Sequence, residues 1–516
     1  MAKLGRRKYK FVEEFVDPDT GEPPEDAKNS PKRVKTQFFG SYEGHQIAKI
    51  DYEEKKIKQK REKVNDKGDF VVEDEEEVTI LIERMGDKGG WIERKENLSQ
   101  YGDCWVAEGG KVCGHAKVEG DVQIGSSNEV GGHAKIRGSA KLDGSAAVGG
   151  FAYVDGAAKI EGSSRLAAKD SARVYGEIKG NAVASGNSLV AKGASIKDNA
   201  NVSGFAKVFG TVKGNAKVGG YAIVYGEMKD SSSVSGMCLV LKSGSLEGSA
   251  KGYGSATIRG TMKDSTIAKG MAKIGAGASM EGSASAKGNA MVAGTMKDSA
   301  EAKGNAYVTK GSTLEGSAVA YGNAMLDGSD MKESSKIGQN VKVSGTVESS
   351  TVKGNTVVSG NVKGSSTVEG NVRVGESGLI ESGTISDTVV VDGSVSSGTM
   401  SGGTYVGEGG SLGGGGTMSG GSAISSGEVT GAALSGNALV AGGSVTGNAE
   451  GNVRIAGNSS SSMSGNSLLL SGNGSASDNG IVKGNVSVSG NQVGVKDDNN
   501  EPGEAAVICE VKKSAD

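Results

Sequence analysis

Aliphatic residues recur at every sixth position from Val106 to Leu166: Val106, Val112, Val118, Ile124, Val130, Ile136, Leu142, Val148, Val154, Ile160 and Leu166. A small residue usually stands two positions before each anchor and a glycine two after, as in Ala116-Lys117-Val118-Glu119-Gly120. Successive side chains on a strand point to opposite faces, so Ala116 and Val118 are expected inside and Lys117 outside. The glycine supplies the corner, where the backbone needs dihedrals that a Cβ resists. A strand and a bend every six residues predict a β-solenoid, a column of stacked coils.

Breaks in the register tell how many sides a coil has. Ile178 follows Val174 by only four residues, and the short step recurs at Val208 to Val212, Val224 to Met228, Ile258 to Met262 and Val292 to Met296. Successive short-step anchors lie 34 or 16 residues apart. These intervals decompose into coils of about 18 and about 16 residues, with one side trimmed. The prediction is an all-β, three-sided solenoid whose short side carries Ile178, Val212, Met228, Met262 and Met296, with left-handed winding favoured. The Lys-Asp-Ser triples at 229–231, 263–265 and 297–299 are expected on the trimmed corner, as a charged, solvated edge.

The solenoid is expected over residues 107–496, regular to about 340 and rich in Gly and Ser afterwards. Val440, Val445, Val482 and Val486 keep Gly-Asn-x-x-Val surroundings. Residues 1–32 read as an extended arm and 33–88 as a small charged β-rich anchor domain. Within the latter, the run Glu53 to Lys63 fits either a solvated ribbon or a short helix. Residues 89–106 read as a capping segment, because an open solenoid end exposes unpaired backbone and apolar interior. Trp91 and Trp105, the only tryptophans, sit where that lid belongs. Residues 497–516 form a tail in which Ala505 to Val511 resembles one strand.

Composition narrows the function classes. Eighty-seven glycines, five prolines and 4% aromatics in 516 residues fit neither an ordinary enzyme nor a typical disordered chain. All the prolines, Pro18, Pro23, Pro24, Pro31 and Pro502, lie outside the repeats, as continuous strand ladders require. A net charge of −3 gives no reason to expect nucleic acid as a partner. No apolar run suggests a signal peptide or membrane insertion. Cys104, Cys113, Cys238 and Cys509 have no framework spacing, and Cys104 and Cys238 occupy the small inward position.

Catalysis on such a fold needs histidine, and the chain has His45, His115 and His133. The last two are one coil apart and should stack outside. With Cys113 nearby they invite zinc, but two imidazoles make an incomplete site, and a solvated ladder is the simpler reading. No catalytic residue, metal or cofactor is expected.

Gly-Gly-Trp-Ile (89–92), Asn-Leu-Ser (97–99), Gly-x-x-Trp-Val (102–106) and the later Gly-Asn-Ala-x-Val repeats resemble a repeat family of bacteriophage and bacterial proteins. The likeness covers roughly residues 89–340. More distantly the chain resembles hexapeptide left-handed β-helices and bactofilin-like proteins. In hexapeptide acyltransferases the usual glycine falls directly after the anchor, whereas here it falls two after. Bactofilin-like proteins are much shorter. The resemblance implies a structural protein in a phage or prophage context, a virion appendage or fibre-like rod anchored through residues 1–88 to other assembly proteins. A homo-oligomer or end-to-end stacking is compatible with it. The expected location is the virion, assembled in the host cytoplasm, with the cytoplasm as alternative. A self-polymerising bacterial filament and a hexapeptide-type acyltransferase are the other readings.

Overall fold

The computed structural model describes residues 8–375, apart from 26, 28–29, 38, 65–69 and 167–170, and beyond 375 short segments as far as Ile481–Val482. The fold is all-β, a three-sided parallel β-solenoid with a small N-terminal sheet. The chain divides into two compact units, residues 1–242 and 243–516.

In the first unit each coil contributes one two-residue strand to each of three faces. The first face contains Lys111–Val112, Glu129–Val130 and Ala147–Val148; the second contains Lys117–Val118, Lys135–Ile136 and Tyr153–Val154; the third contains Trp105–Val106, Gln123–Ile124 and Lys141–Leu142. Pairing is parallel and in register, so Val118 lies on Ile136 and Ile136 on Val154. The first residue of each strand points out and the second in: Lys117 is exposed and Val118 buried. The anchors from Val106 to Ile160 are no more than 2% exposed. Leu166 continues their register by pairing with Val148 and Ala184. Ala116, Ala134 and Ala140 fill the inner side of the corners, and their small size lets a narrow column reach close packing.

The four-residue step removes residues from the corner between the second and third faces, leaving pairs such as Tyr175-Gly176 and Phe209-Gly210. Ile178, Val212 and Met228 all stand on the third face, and Met262 and Met296 on the corresponding face of the second unit; each is fully buried. The Lys-Asp-Ser triples are displaced from the expected place. They follow the third-face strand and form the corner leading to the first face, which keeps its full length. Asp198 and Asp230 take the left-handed conformation there, at φ 62° and 55°. The strain is offset at Asp198, whose carboxylate accepts the Gly214 N–H of the next coil at 2.9 Å.

The N-terminal region is one long antiparallel hairpin with additions. Strand β1 is Tyr9–Phe11, β2 is Lys32–Lys35, β3 is Ser41–Val64 and β4 is Phe70–Ile92. The run Glu53 to Lys63 is ribbon, not helix. Its register sets Lys58 opposite Glu77, Lys60 opposite Glu75 and Arg61 opposite Asp74, so a basic strand faces an acidic one. Within the expected extended arm, residues 9–15 lie against the hairpin. Tyr9, Phe11, Val12 and Phe15 are apolar enough to be buried, and β1 pairs with Ile47–Lys49 of β3. Strand β4 crosses residue 89 unbroken and joins the solenoid directly, Ile92 pairing with Val112.

In the second unit the same construction runs from Ser245–Leu246, and strands persist at Leu439–Ala441, Ser444–Val445 and Ile481–Val482. Val486 and residues 497–516, with the strand expected at 505–511, lie outside the described residues. Along one corner Asn289, Asn305, Asn323, Asn340, Asn355 and Asn371 form a ladder, each side-chain amide donating to the next at 2.7–3.1 Å.

Candidate functional site

The N-terminal end of the solenoid is the most elaborated part of the described chain. Ile92, Leu98 and Val106 stand on the three faces as a leading coil, each at most 1% exposed. Tyr9 is fastened to it, its hydroxyl donating to Leu98 O at 2.5 Å, and Ile47 is fully buried beside Gly89. Lys8 Nζ donates to the Cys104 carbonyl at 2.6 Å and ties the incoming chain to the third face. Trp91 and Trp105 mark this end but are not the lid over the core. Both occupy outward strand positions and are covered from the side, Trp91 by Lys32 at 4.0 Å from the ring centroid and Trp105 by Lys49 at 5.4 Å. Neighbouring Ile92 and Val106 take the inward positions. The sequence pattern could have shown this, because each tryptophan directly precedes an anchor.

A second attachment holds the β2–β3 loop against the first face. The Glu129 carboxylate, 7% exposed, accepts the Gln37 N–H at 2.8 and 2.9 Å and Lys111 Nζ at 3.2 Å. Sequence reasoning missed this residue, since an outward Glu on a solenoid strand looks like solvated surface. Glu129→Ala removes the acceptor of the Gln37 N–H and the partner of the half-buried Lys111, and is expected to cost about 1.5 kcal/mol locally. Hydrogen exchange should show loss of protection at Gln37 and Lys111 while the coil of Val224 is unchanged.

Histidine chemistry does not assemble here. His115 and His133 stack at 4.8 Å, and His133 stacks on Phe151 at 4.9 Å. Cys113 is buried on the other side of the strand path, and burial pushes its thiol up to about 12. Among the described residues no group of three His, Cys, Asp or Glu is placed to hold a metal ion. His45 is occupied by a hydrogen bond to Glu13 and stacks on Phe11 at 4.4 Å. No protein-family model matches the chain, and no curated protein matches it. No helix among the described residues is long and apolar enough to cross a membrane.

The third face carries a ladder of ion pairs. Glu177 lies 2.7 Å from Lys179 and 3.7 Å from Lys197; Glu227 lies 2.9 Å from Lys213 and 3.3 Å from Lys229. Hydrogen bonds from Lys179 and Lys213 hold the Glu177 and Glu227 carboxyls below the ordinary range. A folded-state value below the unfolded one means stability that is present above the ordinary carboxylate range and lost as pH falls through the lowered value. These groups are solvated, so the effect is small. Thermal melts should show a modest acid loss that Glu177→Gln with Glu227→Gln flattens.

The short corner Tyr175-Gly176 lies between longer neighbours and leaves an open notch of about 450 Å³, lined among others by Lys159, Tyr175, Glu177 and Lys192.

Proposed function

We propose that the chain is a structural protein of a larger assembly, held by its N-terminal hairpin and presenting a stiff solenoid, and that the assembly is a bacteriophage virion. The observation that carries this reading is the ribbon Glu53–Val64 with Phe70–Ile82. In its described pairings it meets no strand but its own partner, whereas β1 and β2 cover β3 only between Ser41 and Lys49. A two-stranded ribbon alone is marginal in water, and its outer edges offer unpaired N–H and C=O groups. At about 3.3 Å per residue it reaches roughly 40 Å. Such an element gains stability when a partner adds a strand to its edge.

The capped leading coil supports the same reading, because a covered end favours attachment through the hairpin over direct coil-on-coil polymerisation at that end. Phage context rests on the resemblance of residues 89–340. The test is to replace residues 53–82 by a short turn and follow incorporation into purified particles by mass spectrometry. The reading requires a folded protein, with unchanged circular dichroism, that is missing from particles. Normal incorporation, or turnover of an acyl-CoA by the purified chain, contradicts it.

A further inference from the structure

The second face of the first unit differs in chemistry from the other two. Its outward positions run Lys135, Tyr153, Arg173, Leu189, Lys207 and Ile223, direct partners in successive coils, so cation and apolar side chain alternate. At its two edges Phe205 stacks on Tyr221 at 4.9 Å and Phe209 on Tyr225 at 4.6 Å. All four rings are among the exposed large hydrophobics of this unit, and apart from these, Phe151 and Met237, only Val16 and Tyr101 join them among the described residues.

Charge separates this face further. Arg173, Lys192 and Lys207 are exposed, and none has an ion pair among the described residues. On the third face Lys179, Lys197, Lys213 and Lys229 are all paired with glutamates. No Asp or Glu stands on the second face or its adjoining corners between Arg173 and Tyr225. Among the described residues the carboxylates flanking this face are engaged: Glu177 is held by Lys179, and Asp155 accepts the Tyr153 hydroxyl at 2.7 Å. A face that pairs free cations with apolar platforms fits a partner that is anionic and partly apolar.

We propose that this face, from Arg173 to Tyr225, is a docking surface for an anionic polysaccharide laid along the direction of coil stacking. Cations on alternate coils are roughly 10 Å apart, the order of one extended disaccharide, so one carboxylate per disaccharide meets Arg173 and then Lys207. Leu189 and Ile223 offer flat aliphatic support to the C–H faces of the sugars between them. The notch at Tyr175 and Lys192 opens at the margin of the same face. Single-stranded nucleic acid fits less well, because bases stack on open ring faces, and each of the two ring pairs already covers one face of each member.

The test uses the full chain with hyaluronan, neutral dextran, oligo-dT and poly-glutamate as probes, at low ionic strength. Hyaluronan should bind, dextran should not, and binding should fall as salt is raised. Arg173→Gln with Lys207→Gln should weaken hyaluronan binding about tenfold. Lys197→Gln with Lys213→Gln makes the same change in net charge on the third face and should leave binding within about twofold. Failure of hyaluronan to bind, equal loss in the two double variants, or equal affinity for oligo-dT or poly-glutamate overturns the proposal.

Discussion

Ile136→Asp is expected to melt the coils around it while leaving distant coils of the same unit folded. Ile136 is fully buried between Val118 and Val154 in a column only a few side chains wide. The buried residues of its coil are Val130, Ala134, Ala140 and Leu142 with Asn128, whose amide already donates to Leu142 O at 3.0 Å and accepts the Ala146 N–H at 2.9 Å, so a carboxylate finds no cation there. Replacing Ile136 by an unpartnered carboxyl costs about 4 kcal/mol, since the group must either stay charged in an apolar column or take up a proton and remain polar there. Ile136→Val removes one methylene and should cost about 1 kcal/mol. Stacked repeats couple mainly to their neighbours. Hydrogen exchange should therefore show Ile136→Asp opening the coils of Val118 and Val154, with the coil of Val224 largely protected. A uniform loss throughout the unit, or none, contradicts the nearest-neighbour picture.

Gly210→Val is the second large effect, and it tests the trimmed corner. A Cβ at Gly210 would lie 2.0 Å from the Gly226 carbonyl oxygen and 2.5 Å from that of Tyr225. Both are backbone atoms held in the ladder of the next coil, where the Thr211 N–H donates to Gly226 O at 3.1 Å, so neither can move aside as a side chain does. The expected cost is about 3 kcal/mol. Gly219→Ala is the matched control. Its added Cβ meets only Ser203 Oγ, at 3.7 Å, and the change should be nearly neutral. Thermal denaturation of the two variants should separate them clearly. Equal midpoints would mean that the corner at Phe209-Gly210 is not packed as described.

How much of this was legible follows from how local each feature is. The column from Val106 to Leu166 could be read because each anchor meets the next coil at the same strand position, and a strict six-residue step leaves no other alignment. The short steps named the right anchors for the trimmed side, since a missing pair of residues shifts every later position. The corner that holds the Lys-Asp-Ser triples was legible as well, since each four-residue step ends at an anchor such as Met228 while Lys229-Asp230-Ser231 follow that anchor in a full six-residue step.

The N-terminal end was harder for a different reason. A charged run such as Glu53 to Lys63 has no apolar period, and its strand conformation is fixed by partners farther along the chain, from Ile82 opposite Glu53 to Val71 opposite Lys63. Trp91 and Trp105 drew attention by size, yet they take outward positions, and the leading coil is met by Tyr9, which comes from a distant segment. Glu129 was invisible because its partner is a backbone N–H, at Gln37, that no sequence pattern marks. The near-neutral net charge concealed the second face, since glutamates neutralise the third-face lysines and leave Arg173 and Lys207 unmatched.

Cysteine cross-linking tests the three-sided column most directly, in a chain whose own four cysteines are replaced by serine. Paired residues of adjacent parallel strands lie about 4.8 Å apart, within disulfide reach. Cysteines at Lys135 and Tyr153, 18 residues apart, and at Lys207 and Ile223, 16 apart, should oxidise to internal disulfides that peptide mass spectrometry locates. Cysteines at Lys135 and Ala147 fall on different faces and should stay reduced. Oxidation of that 12-residue pair, with the 18- and 16-residue pairs left as thiols, would mean a two-sided coil and contradict the account.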